Sequence, residues 1–337
     1  MTYRIAINGY GRIGRCVLRA LYEHGFRESL ELVAVNDIAG FPAMVHLTKY
    51  DSIYGRFSLP VSLDGETMAI GNDRVRLLNE PDMDRLPWKL LDIDLVLECT
   101  GLCTTRSDAA RHLAAGAGRV LLSYPGPADV DRTVVRGVNH GQVSPNDRIV
   151  SNASCTSNCL IPVLKTIDDA FGIECGQVTT IHAAMHDQPV GDSYHHADPR
   201  RMRAAERSIV PVDTHLGSGV ARVLPGFEGK IEAIAVRIPS VSVSAMDITL
   251  LAGKAVSAPD ANRALMEAAG GHLAGILGVN TEPLVSCDFQ RDTRSAVIEA
   301  SLTRAAGGRL VKLYAWFDNE WAYAVRMCET AAAMRGI

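Results

Sequence analysis

Residues 3–14 read YRIAINGYGRIG, and this stretch decides the fold of the first part of the chain. An apolar strand runs directly into the glycine-rich turn formed by Gly9, Gly11 and Gly14, and the segment RIGRCVLRALYEHG that follows has the apolar spacing of a helix. In such a unit the first glycine allows a tight turn, the second lets a phosphate approach the backbone, and the third allows helix and strand to pack closely. The helix N-terminus then offers free N–H groups to the phosphates of a dinucleotide.

The next strand supports the same interpretation. LELVAVN, residues 30–36, ends at Asp37, about 20 residues beyond the glycines, where an acid commonly binds the adenosine ribose. The Asp37 carboxylate can accept hydrogen bonds from both ribose hydroxyls and would repel a 2′-phosphate. The motif therefore predicts NAD rather than NADP as the cofactor.

Alternation of strand and helix patterns extends this unit to about residue 150. At 337 residues, the chain exceeds the roughly 250–300 residues that one core usually supports. We predict a doubly wound, Rossmann-type NAD domain over 1–153, completed by a C-terminal helix over 319–337. The clustered strands of the intervening part predict an α+β catalytic domain over 154–318 with a mixed or antiparallel sheet.

Composition excludes several classes of protein. A net charge of -4 offers no general attraction to nucleic acid or to an acidic membrane, and no apolar run approaches the ~18 residues of a membrane helix. The N-terminal sequence does not resemble a signal peptide, so we expect a cytoplasmic protein.

The eight cysteines are too sparse for a disulfide scaffold. Cys155 and Cys159 lack the further ligands of a zinc site, so no metal is expected.

The segment SNASCTSNC, residues 151–159, contains the candidate nucleophile. Cys155 lies where polar residues give way to a predicted helix, so the dipole and the free N–H groups can lower its thiol pKa and hold an oxyanion. The alternative is a small buried side chain, which is our interpretation of Cys16, Cys99, Cys175 and Cys328. Cys159, one turn further along, is expected to pack rather than react.

Downstream, His182 and several arginines are candidates for the same site. A histidine that ends a strand, as His182 does in QVTTIHAA, is more often structural than catalytic, and pattern alone does not bring it to Cys155. Arg200, Arg201 and Arg203 could form a solvated face. Arg237 lies in the apolar strand AIAVRIPS, and a buried arginine needs an anion or hydrogen-bonding partners.

These residues carry a resemblance that spans the chain. INGYGRIGR, SNASCTSNC, TIH, VRIPS and WFDNEW occur in the order and separation of the glyceraldehyde-3-phosphate dehydrogenase superfamily, which the chain resembles from end to end. The resemblance implies an NAD-dependent aldehyde dehydrogenase with Cys155 as nucleophile and His182 as its base. It also implies a homotetramer. Around the substrate it places Ser154, Thr156, Arg201, Thr214, His215 and Arg237, and around NAD it places Arg12, Ile13, Asp37, Ser123 and Asn319.

Within the superfamily, the chain is more similar to the erythrose-4-phosphate dehydrogenases. HAAMHDQ and SIVPVDTHL resemble the HSAMHDQ and SIIPVDTKL of that branch. This implies oxidation of D-erythrose 4-phosphate to 4-phospho-D-erythronate in bacterial pyridoxal 5′-phosphate biosynthesis. The substrate would form a thioester on Cys155, and water would release the product from it. Phosphorylating glyceraldehyde-3-phosphate dehydrogenase is the alternative. Two alternatives are more distant. One is a semialdehyde dehydrogenase, whose substrate would have no phosphate for the arginines to bind. The other is a non-catalytic NAD- or nucleic-acid-binding protein.

The chain also departs from its relatives. Ser157 replaces a more frequent threonine, Pro81 stands where many relatives have an arginine, and His195 and His196 lengthen the loop before the arginine cluster. Asp213 adjoins Thr214. If Asp213 faces the site, it would repel inorganic phosphate and leave water to release the product. The alternative is that Asp213 points outward or pairs with Arg200, Arg201 or Arg203.

Overall fold

The computed structural model describes residues 2–185, 187–194 and 198–336; His195 and His196 lie outside the described residues. The chain divides into two compact units, the first made of Met1–Ser154 with Ala324–Ile337 and the second of Cys155–Tyr323. The functional domain limits given above stay a prediction. No helix in the described ranges has the length and apolar character needed to cross a membrane.

The first unit is built on a nine-stranded sheet. Its order is β10-β11-β9-β8-β1-β2-β7-β6-β5, and the strands from β10 to β7 run parallel. The strands are β1 (Tyr3–Asn8), β2 (Leu30–Asn36), β5 (Val61–Asp64), β6 (Thr67–Ile70), β7 (Asp73–Leu78), β8 (Leu95–Glu98), β9 (Arg119–Leu122), β10 (Arg132–Thr133) and β11 (Ile149–Ser151), with β3 (Tyr50–Asp51) and β4 (Gly55–Arg56) pairing separately.

Helices α1 (Arg12–Glu23), α2 (Phe41–Lys49) and α3 (Arg106–Ala114) connect these strands. The chain leaves β1 toward β2 on one side and returns on the other side through β8, so the carboxyl ends of β1 and β8 mark the point where the strand order reverses. Dinucleotides bind at such a switch point in doubly wound sheets. The predicted doubly wound fold is therefore confirmed.

One edge of this sheet was not anticipated. Strands β5, β6 and β7 form an antiparallel meander whose tight turns contain Gly65 and Gly71, both at positive φ. Asp64-Gly65 and Gly71-Asn72 are ordinary hairpin sequences, but β5 and β6 have only four residues each and give a weak alternation pattern.

The second unit contains an eight-stranded mixed sheet, as predicted. Its order is β13-β14-β12-β15-β19-β17-β16, and β18 pairs with β19. The strands are β12 (Ile173–Ala183), β13 (Val210–Val212), β14 (Ile231–Ile238), β15 (Ser244–Ala252), β16 (Leu277–Asn280), β17 (Ala296–Glu299), β18 (Arg304–Ala306) and β19 (Leu310–Phe317). Only the β12–β14 and β16–β17 pairs are parallel.

The helices of the second unit are α4 (Cys155–Phe171), α5 (Leu216–Val223) and α6 (Ala258–Gly270). The long helix α4 contains Pro162 and contacts β12, β15 and β17. Side chains of β12 and β15 such as Val178, Met246 and Ile248 are buried on one face of the sheet. The last helix, α7 (Trp321–Arg335), begins in the second unit and ends in the first.

Candidate active site

The glycine-rich turn has the shape that the sequence predicted. Gly9 has φ of 89°, and a Cβ there would lie 2.6 Å from Thr100 N; a Cβ on Gly14 would lie 2.2 Å from Gly9 O. Both positions therefore require glycine for packing inside the protein. A Cβ on Gly11 would meet no protein atom within 4 Å, which fits a glycine needed for the approach of a ligand.

The acid predicted to bind the ribose also holds the turn. Asp37 accepts hydrogen bonds from Tyr10 N at 2.5 Å and from Ala39 N at 2.9 Å. Each carboxylate oxygen has a second lone pair, so both can still accept a ribose hydroxyl. Together with the open side of Gly11 and the N-terminus of α1, this donor and acceptor set fits NAD.

Arg12 and Ser123 lie on opposite sides of the switch point, after β1 and β9. The Arg12 guanidinium is 2.5 Å from the buried carboxylate of Asp51 and lies over the Tyr54 ring. Burial opposes ionisation of Asp51, but backbone N–H donors and Arg12 lower its pKa overall. The side chain of Arg12 therefore links the glycine-rich turn to the β3–β4 segment. Arg12 and Ile13 are also the first two residues of helix α1.

A buried polar network that the sequence did not reveal lies under the same edge. Glu98, at the end of β8, accepts hydrogen bonds from Asn8 Nδ2, from Thr100 N and from the Thr100 hydroxyl, and it contacts His112 Nε2 at 2.9 Å. Trp88 Nε1 donates to His112 Nδ1, so the histidine proton lies on Nε2 and points at Glu98. The sulfur of Cys103 is nearby. We interpret the group as hydrogen-bonded support for the turn.

In the second unit, Cys155 is the first residue of α4 and His182 lies near the end of β12. Cys155 Sγ is 3.8 Å from His182 Nε2, and His182 Nδ1 donates to the carbonyl oxygen of Ala183 at 2.7 Å. Because a carbonyl only accepts, the Nδ1 atom carries the proton and the bare Nε2 faces the thiol. The sequence could not establish this pairing.

The electrostatics of the pair differ from the prediction. Burial raises the pKa of the Cys155 thiol to about 12, although the N–H groups of Thr156 and Cys155 itself lower it. Burial also lowers the pKa of His182. The expected low-pKa thiol is therefore wrong for this structure, because desolvation outweighs the helix N-terminus. The pair rests as a thiol beside a neutral imidazole.

The turn before the nucleophile is strained. Ala153, two residues before Cys155, has φ of 55°, a left-handed conformation that costs energy in a residue with a Cβ. The buried Ser151 hydroxyl accepts hydrogen bonds from Ala153 N and Gly126 N and donates to Tyr124 O. Ser151 thus holds the turn that links β11 to α4.

Two of the predicted arginines share one carboxylate. The β12–β14 register pairs His182 with Arg237, whose Nη1 is 2.6 Å from Asp187 Oδ1. Arg201 Nη1 lies 3.5 Å from the other oxygen of Asp187. Burial opposes ionisation of Asp187, but Arg237 and Arg201 lower its pKa overall. The three side chains together carry one net positive charge, which suits a phosphate.

The other cluster arginines have partners of their own. Arg203 pairs with Asp192, and Arg200 pairs with Asp198 at 3.1 Å and lies 3.8 Å from Asp213. The side chain of Asp213 is 96% exposed. The structure thus favours the interpretation in which Asp213 points outward beside Arg200, and Arg201 is the cluster member that shares Asp187 with Arg237.

The remaining predicted substrate residues lie at the ends of elements. Ser154 and Thr156 flank Cys155 at the start of α4, and both are partly buried. Thr214 and His215 follow β13, where His215 precedes the first residue of α5.

Asn319 lies between β19 and α7, and its Oδ1 is 2.9 Å from the Ser244 hydroxyl. Asp318, rather than Asn319, caps α7 by accepting from Glu320 N and Trp321 N.

Two family models match the chain. Residues 3–106 match the model described as glyceraldehyde 3-phosphate dehydrogenase, NAD binding domain, and residues 154–319 match glyceraldehyde 3-phosphate dehydrogenase, C-terminal domain. A doubly wound NAD-binding unit followed by a thiol–imidazole pair defines an NAD-dependent dehydrogenase. The chain belongs to the glyceraldehyde-3-phosphate dehydrogenase superfamily, since the two matches together cover most of its length in the family's order.

Proposed function

We propose that this protein oxidises D-erythrose 4-phosphate to 4-phospho-D-erythronate with NAD, through a thioester on Cys155 that water releases, as a step of pyridoxal 5′-phosphate biosynthesis. The observation that carries the proposal is the contact of Cys155 with neutral His182. Beside this contact, Arg237 and Arg201 both pair with the carboxylate of Asp187. The choice of aldehyde is supported by the HAAMHDQ and SIVPVDTHL segments.

In the proposed mechanism, His182 acts as a base because its Nε2 is unprotonated. It accepts the Cys155 proton as sulfur attacks the aldehyde carbon, which forms a hemithioacetal. N–H groups at the start of α4, together with the resulting imidazolium, stabilise the oxyanion. NAD, if held by the cofactor-binding residues named in the next paragraph, would accept the hydride from the substrate carbon, which would leave the thioester on Cys155. His182 then releases its proton to solvent and, neutral again, accepts a proton from the water that attacks the thioester, so that Cys155 leaves as the thiolate and is reprotonated.

Charge and hydrogen bonding would position the substrate. Guanidinium groups bind phosphate through paired, charge-assisted hydrogen bonds, which suits Arg237 and Arg201. Ser154, Thr156, Thr214 and His215 offer hydroxyl and imidazole groups for the hydroxyls and phosphate of the sugar. Asp37, Gly9, Gly11, Gly14, Arg12, Ile13, Ser123 and Asn319 are the proposed NAD-binding residues.

One observation favours the second candidate, phosphorylating glyceraldehyde-3-phosphate dehydrogenase. Because Asp213 is exposed and lies beside Arg200, it places no unscreened negative charge in the way of inorganic phosphate. The electrostatic argument for release by water is therefore weakened, and the proposal depends on the two sequence segments that resemble the erythrose-4-phosphate branch.

Initial rates of NADH formation on the two aldehyde phosphates, each with and without inorganic phosphate, separate the candidates. We expect faster turnover on erythrose 4-phosphate and a rate that changes less than about twofold when phosphate is omitted. Asp213→Ser should leave this pattern unchanged. An enzyme that stalls without phosphate and prefers glyceraldehyde 3-phosphate would support the second candidate.

We also propose a homotetramer in the cytoplasm. None of the eight cysteines, all of which lie in the described part of the chain, forms a disulfide, which suits a reducing compartment. On the face of the second sheet opposite Val178 and Ile248, the side chains include Ile181, Ile234 and Tyr314, and Ile234 is 60% exposed. An exposed sheet face with apolar side chains at its centre suits a contact between copies of this chain.

A further inference from the structure

Ser244 joins two parts of the candidate site in the second unit. It is the first residue of β15, it is fully buried, and its hydroxyl oxygen accepts a hydrogen bond from Ala183 N at 3.0 Å. The same oxygen lies 2.9 Å from Asn319 Oδ1. Ala183 directly follows the base His182, so one hydroxyl connects the end of the base's strand to Asn319.

The hydrogen bonds of Ser244 determine which way the Asn319 amide points. Since Ser244 is fully buried, its hydroxyl hydrogen needs an acceptor, and leaving it without one would cost free energy. Ala183 N is a donor, so it cannot take this hydrogen, whereas Asn319 Oδ1 can. The amide is thereby held with its oxygen toward Ser244 and its Nδ2, which carries two donor hydrogens, on the opposite side.

We propose that Ser244 is a positioning residue that acts through Asn319. It fixes the Asn319 side chain as a hydrogen-bond donor, and the matching group on the cofactor is the carbonyl oxygen of the nicotinamide carboxamide. An amide free to rotate by 180° would present an oxygen to that carbonyl half of the time, and two acceptors repel. The inference rests on the proposed role of Asn319 toward NAD, and it does not depend on which aldehyde is the substrate.

A double-mutant cycle on cofactor affinity tests the proposal. The dissociation constant for NAD is measured by calorimetry for wild type, Ser244→Ala, Asn319→Ala and the double variant. If Ser244 acts through Asn319, each single variant should bind NAD about three- to tenfold more weakly than wild type. The dissociation constant of the double variant should then exceed that of Asn319→Ala by less than about 1.5-fold. Independent, multiplying effects of the two substitutions would overturn the proposal.

A second probe reads the direction of the hydrogen bond. Thionicotinamide adenine dinucleotide replaces the carboxamide oxygen with sulfur, a weaker acceptor, so wild type should bind NAD more tightly than this analogue. The preference should shrink in Ser244→Ala and in Asn319→Ala alike. An unchanged preference in Ser244→Ala would show that Asn319 is not oriented by this hydroxyl.

Two controls separate positioning from damage to the fold. Thr166→Val removes another buried hydroxyl of the same unit, one that donates to Pro162 O within α4, and should leave NAD affinity unchanged. Ser244→Thr keeps the hydroxyl and should restore part of the affinity. The test uses NAD binding alone, so failure of the erythrose 4-phosphate assignment would appear separately, as NAD affinity that is normal without turnover of that aldehyde.

Discussion

At the scale of single residues, the proposed nucleophile, Cys155, differs from the other seven cysteines in its contact with His182. Cys155 faces the bare nitrogen of His182, whereas Cys159 is buried and Cys175 and Cys287 are exposed to solvent. We predict that Cys155→Ala abolishes aldehyde oxidation while the dissociation constant for NAD stays within about threefold of wild type. Cys175→Ala is the matched control and should retain full activity. Substantial turnover by Cys155→Ala would exclude the thioester.

The base gives a second prediction, which concerns pH. Neutral His182 is needed to accept the thiol proton, and burial lowers its pKa from the usual 6.5. The rate at which iodoacetamide alkylates Cys155 should therefore decrease on acidification only when the pH falls below 6.5. In His182→Asn the rate at neutral pH should fall by about 10²–10⁴ and rise about tenfold per pH unit, because the thiol must then ionise unaided. The control His272→Asn changes an exposed histidine and should follow wild type.

Cofactor choice gives a third prediction. Asp37 accepts a hydrogen bond from Tyr10 N in addition to its proposed role toward the ribose, so removing the whole side chain would also release the glycine-rich turn. Asp37→Asn keeps one oxygen for the turn and removes the charge. We expect the preference for NAD over NADP in kcat/KM to fall by about tenfold or more, which corresponds to ~1.4 kcal/mol of lost repulsion. Asp64→Asn, an exposed carboxylate paired with Arg74, should leave the preference intact.

Sequence reasoning named Cys155 and His182 as candidates but did not establish that they are in contact. Cys155 and His182 lie in segments whose order is specific enough to name both. Their 3.8 Å contact depends on the packing of α4 against β12, which no spacing encodes. Asp187 was noticed only as part of HAAMHDQ, because its role appears once Arg237 and Arg201 converge on it. The thiol pKa was predicted with the wrong sign because burial could not be read from the sequence.

At the scale of elements, the parallel pairing of β12 with β14 places Arg237 beside His182. The arginine is 6% exposed and pairs with Asp187, so its loss would leave a partly buried carboxylate without its nearest cation. We predict that Arg237→Met raises the KM for the aldehyde phosphate by at least tenfold and lowers the free energy of unfolding by about 3 kcal/mol. Arg203→Met, which removes an exposed arginine paired with Asp192, should change neither by a comparable amount.

Most elements followed from local patterns with a clear physical origin. A helix beginning near Cys155 was expected, and so was a C-terminal helix over 319–337; the latter is α7, whose cap is Asp318. Helix α5 and the meander of β5–β7 were not predicted. Both consist of short segments, in which a period of 3.6 or 2 is sampled too few times to stand out.

At the scale of the whole molecule, the second sheet has one face that the described residues leave partly open to solvent. Thr179, Ile181, Ile234 and Tyr314 lie on this face, in registers fixed by the β12–β14, β12–β15 and β15–β19 pairings. Burying such a face against a second copy would remove apolar surface from water at about 25 cal/mol per Å². The balance of charges also permits the contact, because Lys312 and Asp247 on this face are already paired.

The last prediction tests that assembly. If copies of the chain meet on this face, Ile234→Glu places a carboxylate into each symmetric contact, where it would be desolvated without a cation. Sedimentation velocity at micromolar concentration should then show a smaller species than the proposed tetramer, with the fold intact by circular dichroism. Leu90→Glu changes an exposed apolar side chain of the first unit and should leave the sedimentation coefficient unchanged. A tetramer that survives Ile234→Glu would mean that the copies associate through other surfaces.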